Sequence, residues 1–164
     1  MSNSNSEPSG AAGPGIVVDV RGPRFAAWVT TAVLIAVLVI ASVSSRSAAV
    51  LLGLQAVVFA IGALAGPRRH PYGRIFARLI APRLGPVRTT EPAAPLQFAQ
   101  LVGLIFATIG TVGFAVGATT VGLVATGFAL FAAFLNAAFG ICLGCQIYPL
   151  VGRLRRKNPA IAQN

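Results

Sequence analysis

Four apolar stretches, each about as long as a bilayer is thick, leave this chain few ways to fold. They lie at about 25–43, 48–66, 96–117 and 121–145 of 164 residues. A helix rises 1.5 Å per residue, so about 20 apolar residues cross a hydrocarbon core of about 30 Å. Inside lipid the backbone must satisfy its own hydrogen bonds, and each stretch is therefore predicted to be a helix. Charged residues make up 10% of the chain, where a soluble domain carries about 25%. The mean hydropathy of +0.79 points the same way. With 55% hydrophobic residues, 18 glycines in no regular period and only 2 cysteines, a disordered chain, a collagen and a disulfide scaffold are all excluded. The expected fold is all-α and polytopic: four transmembrane helices in one domain, with no room for a separate soluble enzyme domain.

The net charge of +10 is explained by where the charges stand. Two basic residues precede the first span, six occupy the central loop and four follow the last span, whereas Arg46 alone lies in the first hairpin turn. By the positive-inside rule both termini and the central loop are predicted to be cytoplasmic. No recognition helix and no basic stripe with interleaved aromatics is present, so no nucleic-acid partner is expected.

Residues 1–20, rich in Ser, Asn, Gly and Pro, read as a flexible tail rather than a cleavable signal peptide. The membrane domain is expected over 21–152, and 153–164, with Arg153, Arg155, Arg156 and Lys157, as a basic tail. The loop between spans two and three is rich in Arg and Pro. Within it, Ile75, Phe76, Leu79 and Ile80 alternate with Arg74 and Arg78 at helical spacing, which predicts an amphipathic segment over 72–80 in the headgroup plane. A faint repeat is legible. Phe25-Ala26 opens the first hairpin and Phe98-Ala99 the second, 73 residues on. Both copies run in, out and in, so they are parallel hairpin repeats about an axis along the membrane normal. In that arrangement PRRHPY after span two and CLGCQIYP after span four occupy equivalent places and can face each other.

Cys142-Leu143-Gly144-Cys145 is the one constellation with a redox signature. On a helix, positions i and i+3 share a face at about 5–5.5 Å, within the Cα separation that a disulfide tolerates. In a reducing compartment such a pair reads as catalytic, redox-sensing or metal-binding. Three readings stay open: redox or sulfur-transfer chemistry, half of a zinc or iron–sulfur site, and two small packing residues. No cofactor is expected. A metal or cluster at Cys142/Cys145 requires further ligands, such as His70, or a second protomer, which leaves room for a homo-oligomer. Cys145 is the candidate attacking thiol and Cys142 the resolving one. His70, the sole histidine, reads either as a solvated loop residue or as a proton-transfer group beside the thiols. Arg68, Arg69, Arg74 and Arg78 are candidates for holding a partner or an anion.

Elsewhere the polar residues read as structural. Gln55, Gln100 and Asn136 are expected to link helices, Asn136 from the face opposite Cys142. Trp28 and Tyr148 fit the interfacial aromatic belt. No carboxylate lies inside a span, which argues against an ordinary proton-coupled carrier.

The strings VDVRGPRFAA, HPYGRIF, EPAAPLQFAQLVG and LNAAFGICLGCQIYPLV together resemble the bacterial membrane family catalogued as domain of unknown function 4395, over about residues 17–155. The resemblance implies a small four-span protein of the bacterial inner membrane, with the family's Cys-x-x-Cys on Cys142 and Cys145 followed by the matching Tyr148. Genes of this family often neighbour those of thioredoxin-like and rhodanese-like proteins, which implies such a soluble partner. Where the second half usually opens with an Arg-Phe-Ala-Gln-like string, this chain has Gln97. The leading expectation is a thiol-disulfide or sulfane-sulfur relay. A membrane scaffold with packing cysteines and a permease for a small sulfur compound are the alternatives, so enzymatic activity is left undecided.

Overall fold

The computed structural model describes residues 17–87 and 89–142. Four long helices carry the fold: α1 (Arg21–Ala41), α2 (Ser45–Ala65), α4 (Ala93–Ala115) and α5 (Thr119–Phe139), with the short α3 (Pro71–Ile75) between the pairs. Each long helix has the length and hydropathy to cross a membrane, so the chain is an all-α, multi-pass membrane protein. The two hairpin turns share one end of the bundle, the hairpin end. The starts of α1 and α4 and the ends of α2 and α5 share the other, which carries most of the described arginines and is here the basic end.

Two strands precede the hairpins. β1 (Val17–Asp19) pairs antiparallel with β2 (Thr90–Pro92), matching Val17 with Pro92, Val18 with Glu91 and Asp19 with Thr90. A shift of 73 residues lays β1 on β2 residue for residue. The same shift carries α1 onto 94–114 and α2 onto 118–138, each end within one residue of α4 and α5. The pairing is self-complementary about Val18 and Glu91, as a two-fold relation between the halves requires. The packing follows suit, since α2 lies mainly on α4 and α1 mainly on α5. The repeat legible in the sequence is therefore a repeat in space.

At the hairpin end the bundle is closed. Leu34, Val37, Leu52, Ala107 and Phe114 are all but fully buried in one apolar cluster. Gly113 of α4 lies so close to α5 that a Cβ there would stand 2.8 Å from the Gly122 backbone nitrogen, the close approach that small residues permit in membrane bundles. Ser45 and Thr119, the first residues of α2 and α5, share a hydroxyl hydrogen bond of 3.3 Å, whereas the threonines deeper in the spans do not join helices. Thr31, Thr111 and Thr126 each donate to the carbonyl four residues earlier on their own helix.

The fourth span departs from expectation. Instead of continuing to 145, α5 stops at Phe139, where Gly140 takes the left-handed conformation (φ 69°). Such a residue is the ordinary C-terminal stop for a helix, and the Ile141 N–H bonds back to the Leu135 carbonyl. Cys142 therefore lies past the end of α5 and not on its helical face. Cys145, Tyr148, residues 1–16 and the basic tail 153–164 lie outside the described residues, while Val17–Asp19 of the expected flexible tail form β1.

The loop segment also differs from a flat surface helix. Past Ile75 it widens into a π-type turn over Phe76–Ile80 and tightens over Ala81–Arg83. Phe76 points into the bundle against Phe25, with ring centroids 5.8 Å apart. Ile75, Leu79 and the neighbouring Arg74 and Arg78 stay exposed.

Candidate functional site

The chain between α2 and α3 builds the site. Proline restricts the residue before it to extended backbone, and His70, which precedes Pro71, has ψ 127°. Pro71 then opens α3, where its missing N–H has no helical partner to lose. This kink turns the loop back into the bundle. The His70 ring is 4% exposed. Its Cδ2 would lie 2.7 Å from a Cβ on Gly62, and that same Cβ would meet Gln100 Oε1 at 2.9 Å. Only a glycine at 62 leaves space for the imidazole and the amide against α2. Tyr72 reaches further in: its hydroxyl donates to Gln55 Oε1 at 2.8 Å.

A cavity of about 810 Å³ opens beside this loop. It occupies the basic half of the bundle, between α1, α4 and α5, and is mostly apolar. His70, Gln100, Asn136 and Thr30 are its inner polar groups, and Cys142 lies on the same wall. Arg68, Arg74 and Asp19 also line it. Asp19 is ion-paired with Arg21 at 2.8 Å, and that hydrogen-bonded guanidinium lowers its pKa. Phe128 and Phe131 line the cavity while remaining 59% and 58% exposed. The cavity wall on α5 thus reaches the outer face of the bundle, where Phe128 stacks on Phe106 of α4.

Burial pushes the His70 pKa down to about 4, against a small opposite pull from Gln100 alongside. Near neutral pH the ring is uncharged, with one donor and one acceptor nitrogen. Neither ring nitrogen has a hydrogen-bond partner of normal geometry among the described residues, and nor do Gln100 Oε1 and Gln55 Nε2. Unpartnered buried polar atoms are costly, so this cluster stands out from the satisfied threonines.

The solvated reading of His70 is overturned by its burial. A neutral ring also cannot lower a thiol pKa as a cation would. Arg68 and Arg74 reach the cavity, whereas Arg69 and Arg78 are exposed away from it. Asn136 and Cys142 share the cavity instead of facing opposite ways, because α5 ends between them. Cys142 is half-buried and not a free thiol. Among the described residues no group of three His, Cys, Asp or Glu side chains is placed to hold a metal ion.

Sequence reasoning passed over Tyr72 and treated Gln55 and Gln100 as helix links. The 73-residue shift is the signal that singles them out. It places Phe128 against Gln55, Leu143 against His70, Cys145 against Tyr72 and Ala27 against Gln100. The polar cluster draws on both halves, but the two-fold relation does not repeat it. Gln97 behaves differently. Its amide nitrogen lies by Gly66, past the end of α2, while Arg24, its counterpart, donates to the Ala137 and Ala138 carbonyls at the end of α5 at 3.4 and 3.5 Å. Gln97 occupies the arginine's place without its charge.

A model of the family described as domain of unknown function (DUF4395) matches residues 18–153. No curated protein and no solved structure matches the chain.

Proposed function

The chain belongs to the DUF4395 family, and we propose that it is a thiol-disulfide or sulfane-sulfur relay in a bacterial plasma membrane, with its basic end and both termini in the cytoplasm. The observation that carries this reading is the placement of Cys142 on the wall of the cavity that also holds His70. In the relay, the Cys145 thiolate attacks one sulfur of a partner disulfide, and the partner's other sulfur leaves as a thiolate. Cys142 then attacks the mixed disulfide, releasing the partner as a dithiol and leaving the membrane pair oxidised. Two electrons and two protons pass from the pair to the partner. The partner is a soluble thioredoxin-like protein; in the sulfur-transfer version it is a rhodanese-like donor, and a persulfide replaces the mixed disulfide. Neutral His70 serves as a proton acceptor or donor for this exchange.

The test is thiol-specific alkylation of membranes lysed under acid quench, with and without prior reduction, read by mass. A pair that alkylates only after reduction supports the relay, as does a mixed disulfide trapped by Cys142→Ser. Two freely alkylating thiols and no trapped partner overturn it.

One observation favours a second reading. Arg74 in α3 and Arg78 and Arg83 just after it are all exposed, a run of cations suited to recruiting an acidic soluble protein. As a scaffold, the protein would tolerate Cys142→Ala/Cys145→Ala and lose its role on charge reversal of those three arginines. The permease reading gains nothing from Thr31, Thr111 and Thr126, which are bonded to their own helices.

A further inference from the structure

We infer that the cavity in the basic half of the bundle binds a lipid-soluble quinone, which enters from the bilayer between α4 and α5 and is held at its head by His70 and Gln100. This inference rests on the cavity and its polar atoms, and stands whether or not the cysteines exchange.

Three observations carry it. The first is size and access. At about 810 Å³ the cavity lies in the range of sites for drug-sized ligands, and its wall reaches the outer face of the bundle at the exposed Phe128 and Phe131, which a molecule dissolved in lipid reaches without crossing water.

The second is polarity. A phospholipid or fatty acid carries its charge at the head, and the cavity meets charge only at its rim, through the exposed Arg68 and Arg74 and through Asp19, which is already ion-paired with Arg21. The inner groups, His70, Gln100, Asn136 and Thr30, are all uncharged near neutrality and suit a neutral head. Phe59 and Phe106 add flat apolar faces for a ring, a geometry in which aromatic pairs gain beyond their buried area.

The third observation concerns the unpartnered atoms. A neutral imidazole donates through one nitrogen and accepts through the other, and a carboxamide also does both. Such a pair satisfies a carbonyl oxygen in one redox state and a hydroxyl in the other. Quinones and quinols present those two forms on one ring. His70 and Gln100 reach the cavity with ring nitrogens and Oε1 unpaired among the described residues. Of the unpartnered atoms, these are the ones on the cavity wall, whereas Gln55, whose Oε1 accepts from Tyr72, does not line it.

The test uses the full chain in phosphatidylcholine nanodiscs, with a naphthoquinone bearing two isoprene units as probe. Trp28 is the only tryptophan and follows Ala27, which lines the cavity; quenching of its fluorescence reports a quinone bound nearby. Saturable quenching is expected, weakened about tenfold in His70→Ala and in Gln100→Leu. Should those variants fail to fold, as read by gel filtration and helical circular dichroism, Ala99→Phe fills the cavity while leaving the polar groups in place, and is expected to abolish the saturable phase. Quenching that rises only linearly with quinone in the membrane overturns the proposal. So does saturable quenching unchanged in the folded variants, or displacement of the quinone by oleate as readily as by a second quinone. In Cys142→Ser/Cys145→Ser the saturable phase is expected to persist. A relay that fails with quinone binding intact, and quinone binding that fails with partner trapping intact, are therefore separate results.

Discussion

The Tyr72 hydroxyl donates a 2.8 Å hydrogen bond to Oε1 of Gln55, seventeen residues earlier on α2. Gln55 is 1% exposed, so the bond pins the re-entrant loop to a buried amide. Tyr72→Phe leaves that oxygen unsatisfied and is expected to lower stability by about 1–3 kcal/mol. In Tyr72→Phe/Gln55→Leu both partners are gone, and most of the loss is recovered. Unfolding of the four proteins in mixed detergent micelles closes the cycle; additive losses would show that the bond contributes nothing.

Protonation of His70 opposes folding. Its folded pKa of about 4 lies below the ordinary value of 6.5, so between those pH values the unfolded state takes up a proton that the native state refuses. Stability is fully present above about pH 6.5 and falls as pH drops toward 4, by an amount on the order of 3 kcal/mol. The melting temperature of the wild type should therefore decline from pH 7 to 4.5. His70→Asn should flatten that decline, and an equally steep slope in the variant would show that another group titrates.

Gly62 and Gly127 offer a matched comparison. A Cβ at 62 collides with the His70 ring and the Gln100 side chain, whereas one at 127 meets nothing within 4 Å. Gly62→Ala is expected to destabilise by about 1–3 kcal/mol through overpacking, and to displace the imidazole. Gly127→Ala should be neutral or stabilising by up to about 1 kcal/mol, because alanine is the better helix former. Thermal unfolding of the two variants decides it, and equal effects would contradict the geometry.

Arg24 places a cation at the negative end of α5, where its guanidinium meets the carbonyls of Ala137 and Ala138. Its removal in Arg24→Ala should cost about 0.3–1 kcal/mol. Hydrogen exchange in the last turn of α5 is expected to quicken severalfold while that of α2 stays as it was. Uniform acceleration across all four helices would assign the arginine a global role instead.

The four spans were legible because apolar length is a local property and a bilayer demands it of each helix separately. The repeat was legible from one dipeptide pair and proved accurate to a residue, since a two-fold relation fixes every equivalent position once one is known. The end of α5 was misplaced because Ile141 and Cys142 are apolar enough to continue the span, and hydropathy does not register that Gly140 turns left-handed. One of the two readings of His70 put it, among arginines, at the solvated surface. Its burial depends on Gly62 and Gln100, on two other helices, and no sequence window contains all three. The cavity was not legible at all. It exists where four helices fail to meet, and that is a property of their crossing.

The β1–β2 ladder gives the central loop a modest mechanical task. Strands related by a two-fold axis recognise each other without help from the segment that joins them, and the helix faces they bring together are complementary in the same sense. The loop then acts as a tether that raises the effective concentration of one hairpin near the other. A chain nicked near Gly85, where the backbone is exposed and a Cβ would meet nothing, should hold together as two pieces.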